Sequence, residues 1–134
     1  MNGPVFVDSG AWYASVVAWD LNHAAAIAWF QGNCCPLLTT DYVVDETMTL
    51  LKTRGEMGRA ILLGDDFFNG QLATVHFVTA SEFEEAWRVF RRFRAKDWSF
   101  TDCTSKVVME KLGIATAFAF DQHFRQFGTV SVVP

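Results

Sequence analysis

Short apolar runs alternate along this chain with longer stretches in which apolar residues return every three or four positions. Val5-Phe6-Val7 is apolar throughout and stops at Asp8, the pattern of a strand buried on both faces. Ser9 can cap a helix running through Ala18, and a second short helix fits Asn22 to Phe30, closed by Gly32 and Asn33. Pro36 to Thr39 reads as the second strand. Thr40 or Asp41 caps the helix that follows, where Val44, Met48 and Leu51 recur at i, i+4 and i+7 as a core stripe. That helix ends near Arg54-Gly55, and another covers roughly 57–68, closed by Asn69-Gly70. Thr74 to Val78 is the third strand. Ser81 with Glu84 forms a capping-box pattern that opens a helix to about Arg94. Ser99 with Asp102 gives a similar signal before a helix ending at Leu112-Gly113. Ile114 to Phe120 is an apolar run that stops at Asp121, and Thr129 to Val133 is a last short strand.

The order β-α-α-β-α-α-β-α-α-β-α-β predicts an α/β fold with a mostly parallel central sheet of about four or five strands, covered by helices on both faces. The 134 residues show no repeat, no low-complexity stretch and no Pro/Gly-rich linker, so one domain spanning 1–134 is expected.

That order has a chemical consequence, because ligands of open α/β sheets sit beyond the carboxyl ends of the strands. Asp8 ends the first strand and Asp121 the fourth. Asp102 opens the helix before that fourth strand, and Glu46 lies in the first turns of the helix after the second. All four acids can face one edge of the sheet. Carboxylates gathered there would repel and take up protons unless cations intervene. Hard oxygen ligands select Mg²⁺ or Mn²⁺ over zinc, and such an ion can activate a water and neutralise charge on a phosphodiester. Each acid also has a plain structural use as a helix cap or dipole partner, strongest for Asp102 beside Ser99.

Composition narrows the picture. Hydrophobic residues are 51% of the chain and charged ones 19%, a folded globule with apolar surface to spare for a partner. A net charge of −4 argues against a simple nucleic-acid coat but suits a metal site made of acids. Cys34, Cys35 and Cys103 are odd in number and lack ligand spacing, so buried free thiols are expected rather than a disulfide or zinc site. No run of 18 apolar residues and no leader pattern is present, which predicts a soluble, cytoplasmic protein with no membrane partner.

Four segments together resemble the PIN-domain family, in particular its toxin branch of VapC type. They are Val5-Phe6-Val7-Asp8-Ser9, Thr40 to Thr47, Ser99-Phe100-Thr101-Asp102-Cys103, and Ala119-Phe120-Asp121-Gln122-His123-Phe124, in the family's order and covering essentially the whole chain. The Ser-Phe-Thr-Asp and Phe-Asp-x-x-Phe pieces are the most specific. The resemblance implies that Asp8, Glu46, Asp102 and Asp121 form a catalytic metal site, with Ser9 and Thr101 orienting its carboxylates or water. It implies a Mg²⁺- or Mn²⁺-dependent endoribonuclease acting on RNA, a homodimer, and a small antitoxin protein that inhibits it. At the second position it favours Glu46, since the neighbouring Asp45 points about 100° away on a helix.

Other features admit more than one use. Arg88, Arg91, Arg92, Arg94 and Lys96 could contact an RNA backbone, or form a solvated helix face balanced by Glu82, Glu84 and Glu85, the reading favoured here. Trp87 and Phe90 at helical spacing read as core. Trp12, Tyr13 and Trp19 could line a groove for an antitoxin or second copy, or simply fill the core. His23, His76 and His123 lack ligand spacing, and His123 is expected on the surface although it follows Asp121 closely. Two other functions fit the alternating pattern: a PIN domain kept for RNA processing or binding, and a receiver-like phospho-acceptor module. The latter lacks the paired acid at the first strand and the lysine near the last.

Overall fold

The sheet grows outward from β1 (Val5–Val7), whose three residues are all buried although successive side chains point to opposite faces. Both faces of the sheet are therefore covered. The computed structural model describes residues 3–134. After β1 come α1 (Ser9–Val16), α2 (His23–Gly32), β2 (Leu37–Thr40), α3 (Asp41–Thr53), α4 (Met57–Phe68), β3 (Thr74–His76), α5 (Ala80–Arg92), α6 (Phe100–Leu112), β4 (Thr116–Phe118), a 3-10 segment (Gln122–Phe127) and β5 (Ser131–Val133). The five strands lie in the order β3-β2-β1-β4-β5, and every pairing is parallel.

Register aligns Val7 with Phe118 and Phe6 with Ala117. On one face Phe118 packs against Trp29 and Phe30 of α2, with ring centroids 4.3 and 5.1 Å apart. On the other Phe6 meets Phe124 of the 3-10 segment at 6.0 Å. Trp12 of α1 is stacked on Phe30 and edge-on to Phe67 of α4. Its indole N–H donates to Thr39 Oγ1, which donates in turn to the Val7 carbonyl, so α1, β1 and β2 are locked by one polar chain inside an apolar core. Trp12 and Tyr13 are thus core residues, whereas Trp19 is exposed beneath the Arg59 guanidinium.

Several sequence expectations need correcting. The first helix stops at Val16, two residues early, and β4 uses only the centre of the 114–120 apolar run. The helix expected between the last two strands is a 3-10 segment. The capping box of α5 is Thr79 with Glu82, not Ser81 with Glu84. Both pairs fit the motif, but Glu82 also reaches His76 Nε2 at 2.8 Å and Lys111 at 3.6 Å and is buried by doing so. Trp87 and Phe90 are 51% and 38% exposed and belong to no core, because the buried face of α5 is Glu82, Ala86 and Val89. Only Cys103 of the three free cysteines is buried; Cys34 is exposed and Cys35 half-buried. Among the described residues no helix is long and apolar enough to cross a membrane.

Candidate metal centre

β1 and β4 deliver the first acid. The Asp8 N–H donates to the Phe118 carbonyl at 3.0 Å, and the Asp8 carbonyl accepts the N–H groups of Ala11 and Trp12, so the residue ends the strand and starts α1 together. Its carboxyl is buried, and Oδ1 has no hydrogen-bond partner among the described residues. Burial pushes this carboxyl well above the usual range. The Ser9 backbone pulls it down, and the charges of Asp102, Glu46 and Asp121 push it up further.

Glu46 arrives through the cap of α3, where Thr40 Oγ1 accepts the Val43 N–H at 3.1 Å. The Ser9 hydroxyl donates to Glu46 Oε1 at 2.5 Å and ties it to the end of β1. Burial raises the Glu46 carboxyl, the Ser9 hydrogen bond opposes this, and Asp102, Asp121 and Asp45 add to the rise. Asp45 itself is exposed, as the 100° turn between neighbours requires.

Asp102 is a cap and a member of the site at once. In the capping box of α6 its N–H donates to Ser99 Oγ, and its Oδ2 accepts the Ser99 N–H at 3.0 Å. The same Oδ2 lies 2.8 Å from His123 Nδ1. Asp121 caps the 3-10 segment, its Oδ1 accepting the His123 N–H at 2.7 Å and standing 3.2 Å from His123 Nδ1. Ligand atoms of Asp102, Asp121 and His123 all fall within 4.8 Å of one another.

The four acids predicted from sequence therefore meet at the carboxyl edge of the central strands, and Ser9 is joined to them. Thr101 is not: only its carbonyl is used, by the Thr104 hydroxyl. His123, expected on the surface, bridges two of the acids. Its position two residues after Asp121, in a segment that must turn back over the sheet edge, was the available clue. Among the described residues no Lys or Arg lies within 4.0 Å of any of the four acids, and the ion pairs of Arg59, Arg88, Lys106 and Lys111 go to other carboxylates. Mutual repulsion, an orphaned buried oxygen and a donor set dominated by carboxylates are what a hard divalent cation would relieve, so the residues fit such an ion.

Comparison with known proteins bears on the fold and the family. The PIN domain model matches residues 5–130. The 23S rRNA-specific endonuclease VapC20 of Mycobacterium tuberculosis is 35% identical over 130 residues, covering 97% of this chain and 98% of that protein. A VapC ribonuclease of Archaeoglobus fulgidus is 27% identical over 123 residues, covering 88% and 77%. The crystal structure of M. tuberculosis VapC20, described as a Sarcin-Ricin loop cleaving toxin, superposes with a TM-score of 0.90 at 34% identity, over 97% of this chain and 99% of that one. FitAcB from Neisseria gonorrhoeae, at 11% identity and a TM-score of 0.61 over 97% and 96% of the two chains, shares the fold. A match this complete removes the receiver-like alternative and makes the chain a member of the PIN-domain family.

Proposed function

We propose that this protein is a metal-dependent endoribonuclease, one PIN domain spanning 1–134, that acts in the cytoplasm as the toxin of a toxin–antitoxin pair. The observation that carries the reading is Asp8, a buried carboxyl with an unpartnered oxygen, facing three further acids. Asp8, Glu46, Asp102 and Asp121 would hold Mg²⁺ or Mn²⁺. When bound, such an ion lowers the pKa of a coordinated water and offsets charge on the phosphodiester. The chain's own part is orientation. Ser9 fixes the Glu46 carboxylate, and His123 spans Asp102 and Asp121. The α6 capping box holds Asp102 at a set distance from the sheet edge. Thr101 is left to act on solvent or substrate rather than on the acids.

Similarity to VapC20 makes the sarcin–ricin loop of 23S rRNA the first substrate to try. A small antitoxin and a second copy of the chain are the protein partners of this reading. The exposed Met57, Ile61, Leu62 and Phe68 of α4 support a surface covered by protein. The test is cleavage of total RNA and of that isolated loop by antitoxin-free protein, with Mg²⁺, with Mn²⁺ and with EDTA, beside Asp102→Asn. Discrete products that need metal and vanish in the variant are expected. Intact RNA with either metal would leave the family's RNA-processing or binding role in its place.

A further inference from the structure

His123 is fixed at the acids from two sides. Its N–H donates to Asp121 Oδ1 at 2.7 Å, and its neighbour Phe124 is buried against Phe6 of β1. Its Nδ1 stands 2.8 Å from Asp102 Oδ2 and 3.2 Å from Asp121 Oδ1. Adjacent donors on an octahedral ion with bonds of about 2.1 Å are about 3.0 Å apart, the bond length times √2. Nδ1 thus makes both short distances at the spacing of ligands that share one ion. One donor atom from each of Asp102, Asp121 and His123 lies within 4.8 Å of the other two.

A histidine between two carboxylates can also be a simple ion pair, and two observations speak for a ligand instead. Asp8 Oδ1 is buried, faces the same acids and has no hydrogen-bond partner among the described residues, so His123 leaves this oxygen unserved. An imidazolium also offsets only one of four negative charges, whereas a divalent ion offsets two and can be shared among the carboxylates. We propose that His123 Nδ1 is a ligand of the ion held by Asp102 and Asp121, and that this nitrogen makes the site select Mn²⁺ over Mg²⁺. The proposal deepens the metal-dependent reading above and rests on it. The imidazole binds in its neutral form with the proton on Nε2. Mg²⁺ takes oxygen ligands and gives up water reluctantly, whereas imidazole nitrogen suits first-row transition ions. Several carboxylates with one nitrogen lie between these preferences. Mn²⁺ meets both, being hard enough for carboxylate and, unlike Mg²⁺, ready to accept nitrogen.

The experiment loads untagged protein with less than one equivalent of Mn²⁺ and records the electron spin echo envelope modulation of the bound ion, which detects nitrogen coordinated to it. Modulation from a directly bound imidazole is expected in the wild type and not in His123→Asn, whose shorter amide keeps a hydrogen-bond donor near the place of Nδ1. His23 and His76 are engaged elsewhere, with the Ala14 carbonyl and with Glu82, so the signal has one source. Calorimetric titrations with Mn²⁺ and with Mg²⁺ give the selectivity. His123→Asn should lose at least about 10-fold in Mn²⁺ affinity and much less in Mg²⁺ affinity. Thermal melts check that the variant folds, and the wild-type spectrum decides the question without it. Bound Mn²⁺ that sees no nitrogen in the wild type overturns the proposal and makes His123 a hydrogen-bond bridge. Equal losses for the two ions overturn it too, leaving a positioning residue. Wild type that takes up neither ion overturns the metal reading of the whole site, and this inference with it. Metal-dependent cutting of RNA by protein whose Mn²⁺ sees no nitrogen overturns the inference alone.

Discussion

Replacing Asp8 by Asn should stabilise the protein when metal is absent and destabilise it relative to wild type when metal is present. In the metal-free fold Asp8 combines a buried, unpartnered oxygen with the charges of three acids. A buried unsatisfied polar atom costs about 1–3 kcal/mol, and the amide removes the charge and offers N–H donors to its neighbours. A gain of that size corresponds to a rise in Tm of roughly 3–10 °C for a chain of this length. With Mg²⁺ or Mn²⁺ at about 1,000 times its Kd the wild type gains about 4.1 kcal/mol that the variant forgoes, and the order reverses. The pH dependence has a definite sign. Asp8 is raised above its ordinary 3.8, so its contribution to stability is full in acid and is lost as the pH rises from 3.8 through the native value. Metal-free wild type should therefore weaken as pH rises through this range, and the variant should weaken less. Thermal melts of both proteins at pH 5 and pH 7, with EDTA and with metal, measure all of this. A variant less stable than wild type in EDTA at pH 7, or one with the same metal-induced rise, would refute the electrostatic account of the site.

Ser9→Ala frees the Glu46 carboxylate and should reduce metal affinity about 10- to 100-fold with the fold intact, read by calorimetric titration of Mn²⁺. Glu82→Gln keeps the cap of α5 but loses the charge that faces His76 and Lys111, a cost of about 1–2 kcal/mol in thermal melts at pH 7. Burial favours the neutral form of Glu82, yet its bonds to Thr79, His76 and Lys111 together hold it below the ordinary 4.5. The difference from Gln is therefore full above pH 4.5 and shrinks as the pH falls below it. Burial, with Asp102 nearby, lifts the Cys103 thiol to about 11, so a thiol reagent at pH 8 should modify Cys34 quickly and Cys103 only after unfolding.

The strands and the four acids were legible because each rests on local chemistry. A fully apolar triplet that stops at an acid specifies a buried strand with its carboxylate at the carboxyl edge, and Asp8 follows from that alone. What escaped the sequence was decided by contacts between distant segments. Thr79 displaced Ser81 as cap because Glu82 found a histidine on β3 and a lysine on α6. Trp87 and Phe90 follow helical spacing as a core residue does, and only the packing of α5 on α6 turns their stripe outward. His123 shows no ligand spacing in sequence, because its partner Asp102 lies 21 positions away and meets it through the fold. Asp102 was weighed as either cap or ligand, whereas one oxygen serves the cap and faces the site.

The pairing of β1 with β4 joins Val5 to Thr116, so the middle of the sheet closes only after most of the chain has been made and gathered. Contacts so far apart in sequence are slow to form, since the closure entropy of the intervening chain precedes any gain from the pairing. Asp8 and Glu46 are present early in synthesis, but in the proposed site they are only half of the acids until Asp102 and Asp121 join them. On the proposed reading, the protein gains its activity only when the two halves of that site have met. Its latency during synthesis is a property of strand order, and a cell making it has until β4 docks before there is anything to restrain.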